Sequence, residues 1–139
     1  LIVANSGAKF GIPEAKRGLA AAAGGLMKLP DLIPPKIAME LALTGDFIDT
    51  DRAYQLGLVN QVTDGSALDA AMALAQKINE NGPLAVRVSK QIVEGSRGWT
   101  LENRWDEQAK LLPQVFMSED AREGAAAFAE KRKPNWKGK

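Results

Sequence analysis

The apolar pattern of this 139-residue chain changes character once, near Val62, and that change constrains the fold more than any other feature. Before it, short apolar runs alternate with helical stretches. Residues 1–4 are an apolar run, Asn5-Ser6-Gly7 is a turn signal, and residues 8–12 read as a second short strand ending at Pro13. Helical character begins at Gly24. Pro34-Pro35 can open a helix over about residues 36–43, which Thr44-Gly45-Asp46 stops. Thr50 is the expected cap of a short helix ending at Gly57, and residues 58–62 read as one more strand. Strands interleaved with helices predict α/β architecture for residues 1–62.

After Val62 every signal is helical. Ser66 with Asp69 is a capping-box pattern, and Leu68, Ala71, Met72, Ala75 and Ile78 recur at helical spacing. Asn81-Gly82-Pro83 breaks that helix, and residues 84–97 form the next, ended by Gly98. Thr100 is the expected cap of a third helix, striped by Leu101, Trp105, Leu112 and Val115. Ser118 opens a fourth, with Glu119 and Asp120 at the positive end of its dipole, Lys131-Arg132-Lys133 at the negative end and Pro134 beyond. Residues 63–139 are thus expected to be a helical region. Its apolar stripes, with Trp99, Trp105 and Phe116, exceed what one short bundle buries, which points to association between copies.

Composition narrows the chemistry. The chain has no Cys and no His, so disulfides, thiolate metal sites, His ligands and Ser-His-Asp triads are excluded within it. Proton transfer falls to carboxylates, Lys, Tyr or backbone-held water, and no metal site is expected. Lys plus Arg is 18 against 17 for Asp plus Glu, a net charge of +1, which argues against nucleic-acid binding by bulk charge. No charge-free run is long enough to span a bilayer, and nothing resembles a signal peptide; a reducing, cytoplasmic setting fits. Leu1 opens directly in what reads as a buried strand, so the expectation is the C-terminal part of a longer chain.

Three features could carry function. Glu14 follows Phe10-Gly11-Ile12-Pro13, where a carboxyl at a strand end beside apolar residues suits general acid work; the local alternative is a solvated Glu paired with Lys16 or Arg17. Gly18-Leu19-Ala20-Ala21-Ala22-Ala23-Gly24-Gly25 lets backbone approach a ligand, or simply packs helix tightly on sheet. The last nine residues hold five basic residues and no acid, and Phe128 and Lys131, three apart, are expected on one helix face. They could frame a nucleotide with an apolar plate and a cation, or complement the helix dipole.

In their order, these segments resemble the crotonase (enoyl-CoA hydratase/isomerase) superfamily. The resemblance runs through Phe10-Gly11-Ile12-Pro13-Glu14, Gly18, Gly24-Gly25 and Leu29-Pro30. It continues through Ala38-Met39-Glu40-Leu41, Leu43-Thr44-Gly45-Asp46, Leu56-Gly57-Leu58-Val59-Asn60 and the ending from Ser118 to Lys133. It implies the C-terminal portion of a crotonase-like ββα spiral in residues 1–62 and a helical trimerisation region in 63–139. It also implies a lyase of fatty-acid metabolism and β-oxidation that adds water across the 2,3 double bond of an acyl-CoA thioester, as a trimer or hexamer. Coenzyme A would be part of the substrate, not a separate cofactor, and neither nucleic acid nor membrane would be a partner. Glu14 would protonate the α-carbon. Ala21, Ala22 and Gly25 would line the substrate, and Phe128 and Lys131 would contact CoA from a neighbouring subunit. A second glutamate and both oxyanion N–H groups would lie upstream of Leu1, leaving this piece inactive alone. Where the family commonly has Pro-Gly in the Gly-rich segment, this chain has Ala21-Ala22, which bears on substrate shape. Two readings of the same chemistry stay open: Δ3,Δ2-isomerisation of an enoyl-CoA, and hydration of crotonobetainyl-CoA, whose carnitine-pathway enzymes the Pro134-Asn135-Trp136-Lys137-Gly138 ending resembles. A non-catalytic CoA-binding or assembly fragment is the alternative of another class.

Overall fold

In the computed structural model, which describes residues 1–139, four short strands and eight α-helices form two compact units, Leu1–Leu74 and Ala75–Lys139. The boundary falls inside helix α4 (Ala67–Asn79), later than the change of pattern near Val62.

The first unit contains β1 (Val3–Asn5), β2 (Lys9–Gly11), a 3₁₀ turn (Pro13–Arg17), α1 (Gly25–Leu32), α2 (Pro35–Thr44), β3 (Phe47–Asp49), α3 (Thr50–Gln55) and β4 (Gln61–Thr63). This is the α/β class the sequence predicts. β1 runs parallel to β4, with Val3 opposite Gln61, and β2 runs antiparallel to β3, with Phe10 opposite Ile48. Ile2 and Asn60 close the end of the parallel pair: Ile2 N–H donates to Asn60 Oδ1 at 2.7 Å, and Asn60 N–H donates to Ile2 O at 2.8 Å. Two small cores form. Ala4, Ala53 and Val59 make one, and Ile33, Ala38 and Leu41 the other; Ile48 and Leu58 pack against both and join them. A fully buried aliphatic side chain such as Val59 contributes about 1.5–3 kcal/mol.

Three details differ from expectation. β3 is a strand the sequence pattern does not announce. The last strand begins at Gln61, because Leu58 and Val59 turn inward to the core before it. The cap of α3 is Asp49, whose carboxylate accepts from Arg52 N–H at 2.8 Å. Thr50 is the first helical residue and is fully buried, with its hydroxyl 2.8 Å from Asn5 O and 2.9 Å from Ala8 O. Those carbonyls of the β1–β2 connection claim the Thr50 hydroxyl, so capping passes to its neighbour.

The second unit begins within α4 and continues with α5 (Pro83–Gly95), a 3₁₀ turn (Ser96–Gly98), α6 (Arg104–Leu111), α7 (Pro113–Phe116) and α8 (Glu119–Ala129). Thr100 does not directly start a helix. It exchanges hydrogen bonds with Asn103, N–H to Oδ1 at 2.9 Å and Asn103 N–H to Oγ1 at 3.2 Å, and the helix begins at Arg104. Pro113 separates α6 from α7, since its ring cannot continue the hydrogen-bond ladder. Ser118 caps α8 as expected, accepting from Ala121 N–H at 2.9 Å. Beyond α8 the chain folds back. Buried Asp120 accepts from Lys137 N–H at 2.7 Å and Gly138 N–H at 2.9 Å, while Glu119 N–H donates to Lys139 O at 2.9 Å. Leu101, Trp105, Phe116 and Met117 stay exposed. No helix is long and apolar enough to cross a membrane.

Candidate functional site

Pro13 starts the 3₁₀ turn that carries Glu14, and Gly18 ends it in the left-handed conformation, φ 70°. Leu19 N–H returns to Glu14 O at 3.1 Å, so the backbone is fixed on both sides of the glutamate. The side chain is not. Glu14 Oε2 is buried and has no hydrogen-bond partner. The expected surface pairing with Lys16 or Arg17 does not form, because Lys16 Nζ instead meets Asp46 Oδ1 at 2.6 Å. Leaving a buried acceptor unpaired costs about 1–3 kcal/mol. Native structures keep few such groups, and each calls for a reason.

The small-residue segment reaches Ile12, the residue that immediately precedes this turn. Gly24, at φ 93°, precedes α1 without any side-chain cap, and Gly25 is the first helical residue. A Cβ on Gly25 would lie 3.3 Å from Ile12 Cγ2 and 4.0 Å from Ala21 Cβ. Ala21 is buried and Ala22 is exposed. The structure therefore brings Gly25 against Ile12, two residues before Glu14, buries Ala21 near Gly25, and turns Ala22 outward. The close approach of Gly25 to Ile12 leaves little room for a side chain there.

Phe128 and Lys131 belong to the second unit. Phe128 lies in the last turn of α8 and is 88% exposed. The expectation that the two share a helix face does not hold. α8 ends at Ala129, and Lys131 lies beyond the Glu130 cap with φ 53°, the one non-glycine residue in the left-handed region. Its N–H donates to Phe128 O at 3.3 Å and Arg132 N–H donates to Ala127 O at 3.0 Å, which is the Schellman ending of a helix. Both side chains remain exposed, joined by this cap.

The basic cluster is not uniform. Arg132 binds Glu123 through two nitrogens, at 2.5 and 3.1 Å, and Glu130 at 2.6 Å. That pairing, followed by the Asn135 N–H bond, holds the Glu123 carboxyl at about 2, well below its ordinary range. Arg132 is correspondingly raised, first by Glu123 and then by Glu130. Lys131 and Lys133 form no ion pair. The sequence does not announce the Lys16–Asp46 pair, the Glu123–Arg132 pair or the bond from Trp136 Nε1–H to Glu80 O. Each joins residues separated by intervening structure, and only the acid and base types gave any hint.

A family model described as enoyl-CoA hydratase/isomerase matches residues 1–139. Carnitinyl-CoA dehydratase of Citrobacter koseri is 41% identical over 143 residues, covering 99% of this chain and 55% of its own length. The corresponding protein of Salmonella agona is 40% identical with the same coverage. Among solved structures, an enoyl-CoA hydratase from Mycobacterium tuberculosis H37Rv superposes with a TM-score of 0.96 at 58% identity, over 100% of this chain and 56% of that one. A probable enoyl-CoA hydratase/isomerase from Mycobacterium abscessus gives 0.92 at 54% identity, over 100% of this chain and 56% of that one. The chain spans about half the length of the relatives it matches.

Proposed function

The chain belongs to the enoyl-CoA hydratase/isomerase family, and from that premise we propose that it supplies the proton-transfer half of an acyl-CoA site in a hydratase-type lyase. The carrying observation is Glu14 Oε2, buried without a partner, two residues after the Ile12 against which Gly25 packs. In this proposal water adds to the β-carbon of a 2,3-enoyl thioester while Glu14 protonates the α-carbon. Proton transfer by a placed carboxyl of this kind contributes typically about 10²–10⁴-fold. The unpaired oxygen suits the role, because no internal donor has to be displaced before the substrate carbon approaches.

The remaining parts are assigned to the length of the relatives that this chain does not span. They are the water-activating carboxylate and the two N–H groups that hold the thioester oxygen as charge develops on it. The chain would be the C-terminal half of such a protein, built as a trimer or a dimer of trimers and working in the cytoplasm. CoA enters as part of the substrate. Phe128 and Lys131 would meet its nucleotide, with the exposed ring as an apolar plate and the unpaired ammonium as a phosphate contact. A carnitinyl-CoA-type substrate is the second reading, favoured by the dehydratases at 40–41% identity.

The test is hydration of crotonyl-CoA by the longer protein carrying this segment, followed by loss of enoyl-thioester absorbance, with crotonobetainyl-CoA in parallel. Glu14→Gln should lower kcat at least about 100-fold with the fold intact. Activity within a few-fold of the parent would remove Glu14 from the chemistry. Turnover of a 3-enoyl-CoA without hydration would replace the hydratase by an isomerase.

A further inference from the structure

Resting on the reading of Glu14 as the proton-transfer group, we propose that Lys16, Gly45 and Asp46 are positioning residues, which clamp the turn bearing Glu14 to the end of α2. The Glu14 side chain makes no hydrogen bond that could orient it. Its placement therefore depends on how firmly its backbone is held, and the loop 44–47 grips that backbone on both sides.

On the near side, Gly11 lies against the loop. A Cβ there would stand 2.8 Å from the Phe47 ring and 2.9 Å from Asp46 O. On the far side, Gly45 has φ 65°, and a Cβ on it would lie 2.9 Å from Lys16 Cγ and 3.3 Å from Pro13 Cα. Only glycine tolerates both that conformation and that approach. The grip closes with the Lys16–Asp46 ion pair at 2.6 Å, which spans 30 residues of sequence. Asp46 is itself anchored. Its N–H donates to Thr44 Oγ1 at 3.2 Å, and that hydroxyl donates to Glu40 O at 2.8 Å in the last turn of α2.

The ion pair is well exposed, at 51% for Lys16 and 68% for Asp46, so its effect on global stability should be small. Its effect on the reaction need not be, since a misplacement of about 1 Å can cost about 100-fold in rate. A clamp and a mere surface pair are thus separable by measurement.

The experiment uses the longer protein with crotonyl-CoA as substrate, reading kcat, KM and melting temperature. Asp46→Asn should lower kcat roughly three- to tenfold while KM stays within about twofold and the melting temperature barely moves. The charge reversal, Lys16→Glu with Asp46→Lys, should recover at least half of the lost kcat. Gly45→Ala should lower kcat about tenfold or more; if it does not fold, the other two variants decide. Unchanged kcat in Asp46→Asn overturns the clamp. So does a loss that the reversal fails to recover, or one that follows melting temperature. Glu14→Gln measured alongside separates the two claims. If it keeps full turnover, the catalytic reading fails. If it loses turnover while the clamp variants do not, only the clamp fails.

Discussion

Trp136 donates its indole Nε1–H to the Glu80 carbonyl at 2.8 Å, which pins the segment after α8 to the end of α4. The ring lies over two glycines: a Cβ on Gly82 would be 3.6 Å from it, and one on Gly124 only 3.2 Å. It also lines a cavity of about 200 Å³ with Leu84, Val115 and Ala121. Trp136→Ala should cost about 2 kcal/mol, less than a full core deletion because the ring is only half buried. Trp136→Phe should fall between that variant and the parent, losing about 1 kcal/mol with the hydrogen bond and part of the contact with Gly124, since the smaller ring does not reach as far. Urea unfolding of the three proteins checks the order, and equal midpoints would show that the ring holds nothing.

Lys131 adopts a backbone conformation that glycine adopts without strain. Lys131→Gly should therefore stabilise the α8 ending by about 0.5–1 kcal/mol. If Lys131 meets a CoA phosphate, the same substitution should raise KM for the thioester with kcat unchanged, and the rise should shrink in high salt. Stability and binding then move in opposite directions. Melting temperature and KM at two ionic strengths read both, and an unchanged KM at low salt would leave the lysine with a purely structural role.

Glu123 makes the second unit sensitive to acid. Its folded value, about 2, lies below the ordinary 4.5 because Arg132 and the Asn135 N–H favour the carboxylate. Between those values the unfolded chain binds more protons than the folded one, so stability falls as pH falls. The contribution is complete above about 4.5 and lost through about 2. Urea midpoints measured from neutral pH downward should fall through this window. Glu123→Gln should start lower at neutral pH and show a flatter fall, whereas a parallel curve would refute the assignment.

Thr50 joins the start of α3 to the β1–β2 connection through a hydroxyl shared between two carbonyls. Thr50→Val keeps the shape and removes the donor, and should cost about 1–3 kcal/mol. Thr50→Ser keeps the donor and loses one methyl, about 1 kcal/mol. Chemical denaturation should rank Val below Ser; the reverse order would make packing, not hydrogen bonding, the role of this residue.

Features encoded locally were legible in the sequence. Pro35 at the start of α2, Gly45 at its end, and Ser66 and Ser118 at helix starts all act where their types predict. What failed was long-range. Phe47–Asp49 is a strand only because Lys9–Gly11 lies opposite it, and three residues carry no period. Asp49 and Thr50 are both good caps, and carbonyls some forty residues away decided between them. Lys131 looked helical because nothing in Glu130-Lys131-Arg132 marks a left-handed residue. Glu14 was conspicuous from its neighbours, but its unpaired oxygen and the grip of residues 44–47 exist only once α2 has folded back.

The parallel pairing of β1 with β4 also sets a clock for synthesis. Ile2 and Asn60, which bond to each other, are 58 residues apart. At roughly 5–20 residues per second, β1 leaves the ribosome about 3–12 s before its partner. Closing a loop of that length costs about 3–4 kcal/mol of chain entropy, which local contacts cannot offset. During that interval the edge of β1 that faces β4 lacks its partner, open to strands of other nascent chains. A pause in translation within residues 6–60 would lengthen the exposure, and one placed after β4 would not.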